Sequence, residues 1–275
     1  MNKGWFANVE PDGSGAPAIR EGSADAPDDW PALAVESGFA ADESEYYEQL
    51  REATITAARE EVRERERADD AQLVHAVRAM DDTERVTNEL AERVGEWGGS
   101  LFSESGSGVG YVRELAGREP EGAVEERAIS LAARTVGLAE EADTLRGFIE
   151  RTTPAVAPNL AALAGPVLAA RLIALAGGLG DLAKKPSGTL QVLGAEDALF
   201  AHLRGHAPSP KHGIIYTHEY VRETRSEDRG SAARALAGKL TIAARIDYYS
   251  GDRRPELDAE LDERIETIRA REGDK

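Results

Sequence analysis

Eight residues, Val124, Ala128, Leu131, Thr135, Leu138, Ala142, Leu145 and Ile149, follow one another at spacings that alternate four and three without a break. That spacing is a heptad register. It holds one stripe on one side of a helix and commits the segment to lengthwise packing on another helix. An earlier stretch supplies the partner. Leu73, Val77, Met80, Thr83, Thr87, Leu90, Val94, Trp97 and Leu101 repeat at threes and fours, with one irregular step after Met80. Gly98-Gly99 and Ser103–Gly110 read as a turn region between the two seams. Together they predict an antiparallel helical hairpin. So narrow a stripe calls for a partner helix pair as well; a plain bundle within one globular domain is the simpler reading of the same periodicity.

Upstream, the pattern from Glu43 to about Leu101 is helical, interrupted only by Gly95. Within it, residues Arg59 to Asp70 are almost entirely charged and predict a solvated helix. Residues 1–10 suggest a short strand carrying Trp5, Phe6 and Val9, and residues 11–45, rich in Gly, Pro, Asp and Ser, read as linker or weakly folded chain.

Charge divides the chain unevenly. Residues 1–150 hold 15 Lys and Arg against 34 Asp and Glu, whereas residues 151–250 hold 12 against 8. A chain of net charge −18 is repelled as a whole by phosphate, yet one cationic block of about a hundred residues still suits RNA. Of 33 cationic residues only 6 are Lys. Many carboxylates with few lysines suggest a halophilic, high-salt cytoplasm; an ordinary acidic coiled-coil protein with a GC-rich coding bias is the plainer alternative. With no cysteine, disulfides and thiolate metal sites are excluded. The first fifteen residues lack the apolar run of a signal peptide, and the stretch Val167–Leu179 is broken by Arg171 and too short to span a bilayer, so a soluble, cytoplasmic protein is expected, without a membrane role.

From Thr153 to Gly251 the chain becomes rich in Ala, Leu and Gly. Pro154 and Pro158 are expected to break the helix, with Asn159 capping the next. Leu160, Leu163, Val167, Leu168, Leu172, Leu175 and Leu179 predict a buried helix that Gly177-Gly178 ends, and Ala161–Ala164 with Ala232–Ala237 allow close helix approach. Gly194 is expected to open a helix with Glu196 and Asp197 in its first turn, favourable for the helix dipole. The loop Gly205–Gly213, stiffened by Pro208 and Pro210, presents Lys211 and His212, a cation beside a planar ring that suits unpaired RNA bases. Arg229 opens a last core helix bearing Arg234, Lys239 and Arg245, followed by a charged amphipathic tail with Leu257, Leu261, Ile265 and Ile268.

The run from Gly194-Ala195-Glu196 through Ala198-Leu199-Phe200, the Pro210-Lys211-His212-Gly213 loop and the Arg229–Gly251 helix, taken in order, closely resembles the Nop domain. That domain is the RNA-protein-binding module of archaeal box C/D ribonucleoprotein scaffolds and of their eukaryotic nucleolar and splicing relatives. The hairpin resembles the coiled coil of the same family in its apolar repeat, the Asp81-Asp82 pair, Glu96-Trp97 and Phe102. The two matches cover roughly residues 69–255. The chain departs from the family pattern at Asp197 and Ala201, where the family carries Lys and Arg, at Gly98, where it usually has Tyr, at Phe102, which no Pro follows, and at Glu219 and Ser231.

The resemblance implies a mainly α fold: a reduced N-terminal segment (1–60), a coiled-coil hairpin (61–152), an all-α Nop domain (153–252) and a charged helical tail (253–275). It implies a non-catalytic scaffold for guide-RNA-directed ribose 2′-O-methylation. The implied partners are a box C/D guide RNA with its kink-turn, the ribosomal-type kink-turn-binding protein, fibrillarin, and a second copy of the chain. Implied contacts to RNA or its protein are Gln191, Glu196, Arg204, Lys211, His212, Arg229, Arg234, Lys239 and Arg245, with Leu131, Leu138 and Leu145 in the dimer seam. Only about 60 residues precede the hairpin, so fibrillarin docking would rest on a reduced segment anchored by Trp5, Phe6 and Trp30. A splicing-factor-like RNA clamp and a coiled-coil interaction protein without RNA are the alternatives.

No cofactor or catalytic group is expected. His202 and His206 have a spacing that two metal ligands on a helix use, but Gly205-His206 falls past the expected helix end and no Glu follows His202, so no metal site is expected. Gly177-Gly178-Leu179-Gly180 follows a helix rather than the strand that a dinucleotide loop requires. Acid pairs such as Glu60-Glu61 read as solvated helix surface.

Overall fold

The structure is a computed structural model that describes residues 4–9, 15–22 and 28–270. Every regular element among those residues is helical. The chain divides into two compact units, Met1–Ala68 and Asp69–Lys275.

In the first unit Trp5–Asn8 form a 3-10 turn where a strand was expected; residues 1–3 and 10 lie outside the described residues. The expected linker carries two short helices, α1 (Ala16–Glu21) and α2 (Trp30–Glu36), with residues 11–14 and 23–27 outside the described residues. Both pack on α3 (Glu43–Arg67), which Asp42 caps through the N–H of Glu45. Aromatic rings supply what composition seemed to lack. Phe6 stacks on Phe39 with centroids 5.2 Å apart, Trp5 meets Phe39 edge-on at 5.3 Å, and the Trp5 indole N–H donates to the Tyr46 hydroxyl. Phe6 and Tyr46 are buried, and Trp5 and Trp30 pack against them, so these rings build the unit's own core. Gly15 is required there. Its φ is +64°, and a Cβ would lie 2.5 Å from the Trp5 ring.

Helix α3 stops where Ala68 takes extended backbone, and Gly95, the expected interruption, lies inside a helix. In the second unit α4 (Asp69–Leu101) and α6 (Ala123–Val156) pack side by side as the arm. They run antiparallel, since Glu84 near the base of α4 pairs with Arg146 late in α6, while Val94 shares a cluster with Ala132. Gly98-Gly99 do not form the turn. The helix continues through them because a glycine is needed at 98: a Cβ there would sit 2.9 Å from the Tyr111 hydroxyl. Tyr111 belongs to α5 (Gly108–Ala116), which closes the tip over Val94 and Ala132 with Val112 and Leu115.

The α6 seam is graded. Ala128, Thr135, Ala142 and Ile149 are buried, whereas Leu131, Leu138 and Leu145 are half-buried and Val124 is exposed. Pro154 does not break α6. It falls in the last turn, where only one backbone bond is lost, and the Ala157 N–H still reaches the Thr153 carbonyl at 2.8 Å.

Residues 157–270 form a compact helical module. Pro158 does start a new helix, α7 (Pro158–Ala164); a turn at Gly165, φ +75°, bends the chain by 117° into α8 (Pro166–Ala176). Gly177 and Gly178, both at positive φ, end α8 as expected and lead into α9 (Leu179–Lys184) and α10 (Ser187–Val192). Then come α11 (Glu196–Leu203), α12 (Glu219–Arg222), α13 (Arg229–Tyr249) and α14 (Glu256–Ala270). Helix α13 is the hub, packed by α7, α9, α10, α12 and α14. Leu257, Leu261, Ile265 and Ile268 of α14 are buried in the same core.

Asn159 is no helix cap. It is buried, and α7 is capped instead by Asp247 of α13, whose carboxylate accepts the N–H groups of Asn159 and Leu160 at 3.0 and 2.9 Å and the Asn159 amide at 2.6 Å. The Asn159 oxygen accepts the Arg254 N–H at 2.7 Å, tying in the turn before α14. Arm and module are joined by polar links as well as by the shared core: Arg171 of α8 pairs with Asp81 and Glu84, and Asp70 accepts the Leu179 N–H at 3.0 Å. Among the described residues no single helix is long and apolar enough to cross a membrane; α7 and α8 pass together by length and composition, but they are bent, and all their leucines except the exposed Leu175 are buried in the core.

Candidate RNA-protein interface

The loop after α11 is positioned by its return strand of backbone. The Gly213 N–H donates to the Gln191 carbonyl and the Ile214 N–H to the Leu193 carbonyl, each at 2.8 Å. Only glycine fits at 213, where a Cβ would stand 2.0 Å from the Leu193 oxygen. The Gln191 amide then donates to the Lys211 carbonyl at 2.7 Å. Side chain and backbone of one residue of α10 thus fix the end of the loop that bears Lys211 and His212.

His212 lies flat on Tyr216, centroids 4.6 Å apart and planes 21° from parallel. The Arg229 guanidinium stands 5.4 Å from the centre of that tyrosine ring, held by the carbonyls of Thr224 and Arg222 at 3.0 and 3.3 Å. Because carbonyls rather than carboxylates hold it, its charge stays available. The Lys211 stem runs beside Gly230, at the start of α13. Burial lowers the His212 pKa, and the positive charges of Arg229 and Lys211 lower it further. The ring is therefore neutral near pH 7, with its face committed to stacking.

Four expected residues, Gln191, Lys211, His212 and Arg229, thus meet on one surface. The others are distributed around it. Glu196 is structural, accepting the Gly194 N–H at 2.9 Å in the adjoining turn. Gly194 sits at φ +82° just before the helix, whose N-cap position Ala195 fills without a side-chain bond. Arg204 closes α11 and Arg234 follows Arg229 on α13, both exposed and without an ion pair among the described residues. Lys239 pairs with Glu260 of α14, and Arg245 donates to the Ala183 carbonyl at the other end of α13. Tyr216 is the residue that sequence reasoning misses, since only the fold stacks it on His212. On α11, before the loop, Phe200 and Leu203 are 57% and 70% exposed. The His202 ring contacts the Ala207 carbonyl, and among the described residues no group of three or more His, Asp or Glu is placed to hold a metal.

His218, just beyond, is structural. Its Nδ1 accepts the Tyr220 N–H, so Nε2 donates to the Leu163 carbonyl at 3.1 Å, and burial lowers its pKa.

A long helical hairpin joined to a hub-and-spoke helical module, with a stacked histidine–tyrosine–arginine face on the module, defines the class. Residues 69–270 match the family model described as "Nop: snoRNA binding domain, fibrillarin", and the chain belongs to that family. It is 36% identical to an uncharacterised NOP5 family protein of Methanocaldococcus jannaschii, over 72% of this chain and 56% of that protein. It is 34% identical to nucleolar protein 58 of Aspergillus niger, over 65% of this chain and 37% of that one. The chain thus spans about half or less of the length of these relatives. A chain of the solved fibrillarin/Nop5p complex superposes with a TM-score of 0.55 at 25% identity, covering 97% of this chain and 99% of that chain.

Proposed function

We propose that this chain is a non-catalytic scaffold of a box C/D ribonucleoprotein that directs RNA ribose 2′-O-methylation. The observation that carries the reading is the loop surface of Gln191, Lys211, His212, Tyr216 and Arg229 on a Nop module, a neutral stacking pair flanked by two uncompensated cations. Such a surface takes an unpaired base by its face and the adjoining phosphates by charge. The module grips a kink-turn RNA already held by a ribosomal-type kink-turn-binding protein, with the exposed Phe200 and Leu203 toward that protein. Where relatives place cations, Asp197 and Ala201 contribute none, so this grip leans on the loop.

Leu131 and Leu145 pack at the edge of clusters within the chain, and the half-buried Leu138 between them, in neither cluster, supports pairing of two arms along this line. Fibrillarin, named in the solved relative's complex, is the proposed catalyst that this scaffold positions. It docks through the first unit on surfaces other than Trp5 and Phe6, which pack inside that unit. The assembly works in a salt-rich archaeal cytoplasm. Reconstitution with guide RNA, the kink-turn-binding protein and fibrillarin tests the reading. Methylation of the guided ribose is expected only when this chain is included; equal methylation without it overturns the proposal.

A further inference from the structure

Over residues 69–270 many cations are matched to carboxylates: Arg222 to Glu223, Arg253 to Asp258, Lys239 to Glu260, Arg171 to Asp81. Away from the loop surface, the far end of α13 departs from that pattern. Tyr248 and Tyr249 stand there edge to face, centroids 4.9 Å apart, and remain 47% and 71% exposed. Tyr248 lies over Gly180 of α9, where a Cβ would come within 2.9 Å of its ring. Arg245, one turn earlier, uses its Nε on the Ala183 carbonyl and so keeps its charge. Lys184 and Lys185 follow Ala183 directly; Lys184 has a loose 3.8 Å contact with Asp181, and Lys185 has no carboxylate partner among the described residues. The acids nearby are Asp181, half-buried, Asp252, exposed, and the Asp69-Asp70 pair at the start of α4, whose Asp70 accepts the Leu179 N–H, while Asp247, the sole carboxylate of α13, is buried under Asn159.

We propose that Tyr248 and Tyr249, with Lys184, Lys185 and Arg245, form a platform for an unpaired RNA strand continuing from the RNA element held at the loop surface. This rests on the RNA-binding reading and extends it to a second site. Exposed tyrosine faces accept any base by stacking, and neighbouring ammonium and guanidinium groups take the phosphates between bases. A protein partner would also cover two tyrosines. The three cations, and the lack of any exposed carboxylate on α13, favour a polyanion. At 1.5 Å per residue α13 places Arg229 and Tyr249 about 30 Å apart. Between them its open face carries Arg234 and Gly238, and a Cβ at 238 would have no neighbour within 4 Å. Twenty residues at about 100° each put Arg229 and Tyr249 on nearly opposite faces of α13, so a strand joining them winds obliquely around the helix over Arg234 and Gly238. In a salt-rich cell stacking matters doubly, because salt screens the phosphate contacts and leaves the base contacts.

The test compares, by equilibrium binding of the full chain with the kink-turn-binding protein present, a blunt kink-turn RNA and the same RNA with a ten-nucleotide uridine tail. The tail is expected to tighten binding about tenfold. Tyr249→Ala should abolish that gain and leave the blunt RNA unaffected, and Tyr249→Phe should keep it. Tyr249 is chosen because it is the more exposed ring, so its truncation leaves the core intact. Photocrosslinking from 4-thiouridine in the tail should map to residues 245–249. If the tail adds nothing, or Tyr249→Ala leaves its gain in place, the platform is overturned. If the blunt RNA is not bound but the tail still crosslinks to 245–249, the platform stands and the kink-turn reading fails. If the tail adds nothing and Tyr249→Ala instead loses the kink-turn-binding protein, the surface is a protein dock and the RNA inference falls.

Discussion

Asp247 shows how one buried carboxylate organises the module. It replaces the missing side-chain cap of α7, and through Asn159 it fixes the turn that leads to α14. Asp247→Ala leaves three buried N–H groups unpaired, and we expect a loss of about 3–5 kcal/mol, read as a lower denaturation midpoint with no change in RNA specificity per folded molecule. Gly213 is the opposite case, a residue whose loss should spare the fold and harm the site. Gly213→Ala drives a Cβ against the Leu193 carbonyl, so the loop must lift away. Helical circular dichroism should be unchanged while affinity for the RNA-protein complex drops by about tenfold, the worth of a base-stacking contact. His218 sets a pH dependence. Its ring is neutral in the fold, so the unfolded chain takes up the proton first as pH drops. The associated stability is complete above the ordinary histidine value of about 6.5 and is lost as pH falls below it. His212, shifted in the same direction, adds to that slope. Thermal midpoints from pH 7.5 to 5.5 should fall, and less steeply in His218→Gln; an identical slope in that variant contradicts the assignment.

At the scale of elements, the hairpin was legible because heptad spacing is a repeated signal, and one odd step after Met80 hardly weakens it. Its tip was not. Paired glycines read as a turn, yet Gly98 is there to admit the Tyr111 ring, a contact twelve or more residues away that local rules do not carry. Pro154 failed for a related reason, since a proline in a last turn costs a single backbone bond. The first unit was misread because composition counts aromatic residues without knowing that Trp5, Phe6, Phe39 and Tyr46 meet. Of the loop surface, Gln191, Lys211, His212 and Arg229 were visible in sequence, while Tyr216 required the fold to bring it beneath His212. The α6 stripe gives a prediction of its own. Leu138→Glu lies at a half-buried position, so the chain should stay folded while its sedimentation changes from dimer to monomer. A wild-type chain that sediments as a monomer at micromolar concentration contradicts the pairing.

For the whole molecule the decisive property is segregation of charge. Residues 1–150 carry the acidic excess, and the helical module carries the cations that its carboxylates leave free at the loop surface and along α13. Repulsion from phosphate is thereby general and attraction local. An RNA held by so small a cationic area needs a co-bound protein to complete the surface, which is the central claim of the scaffold account. Its most direct test is a gel shift in molar salt. A kink-turn RNA is titrated with this chain, with and without the kink-turn-binding protein already in place. The account predicts a supershift with that protein and none on RNA alone, lost in the Lys211→Ala/His212→Ala variant. No supershift with partner and RNA both competent, or one indifferent to that double substitution, contradicts it and leaves a coiled-coil adaptor as the better description.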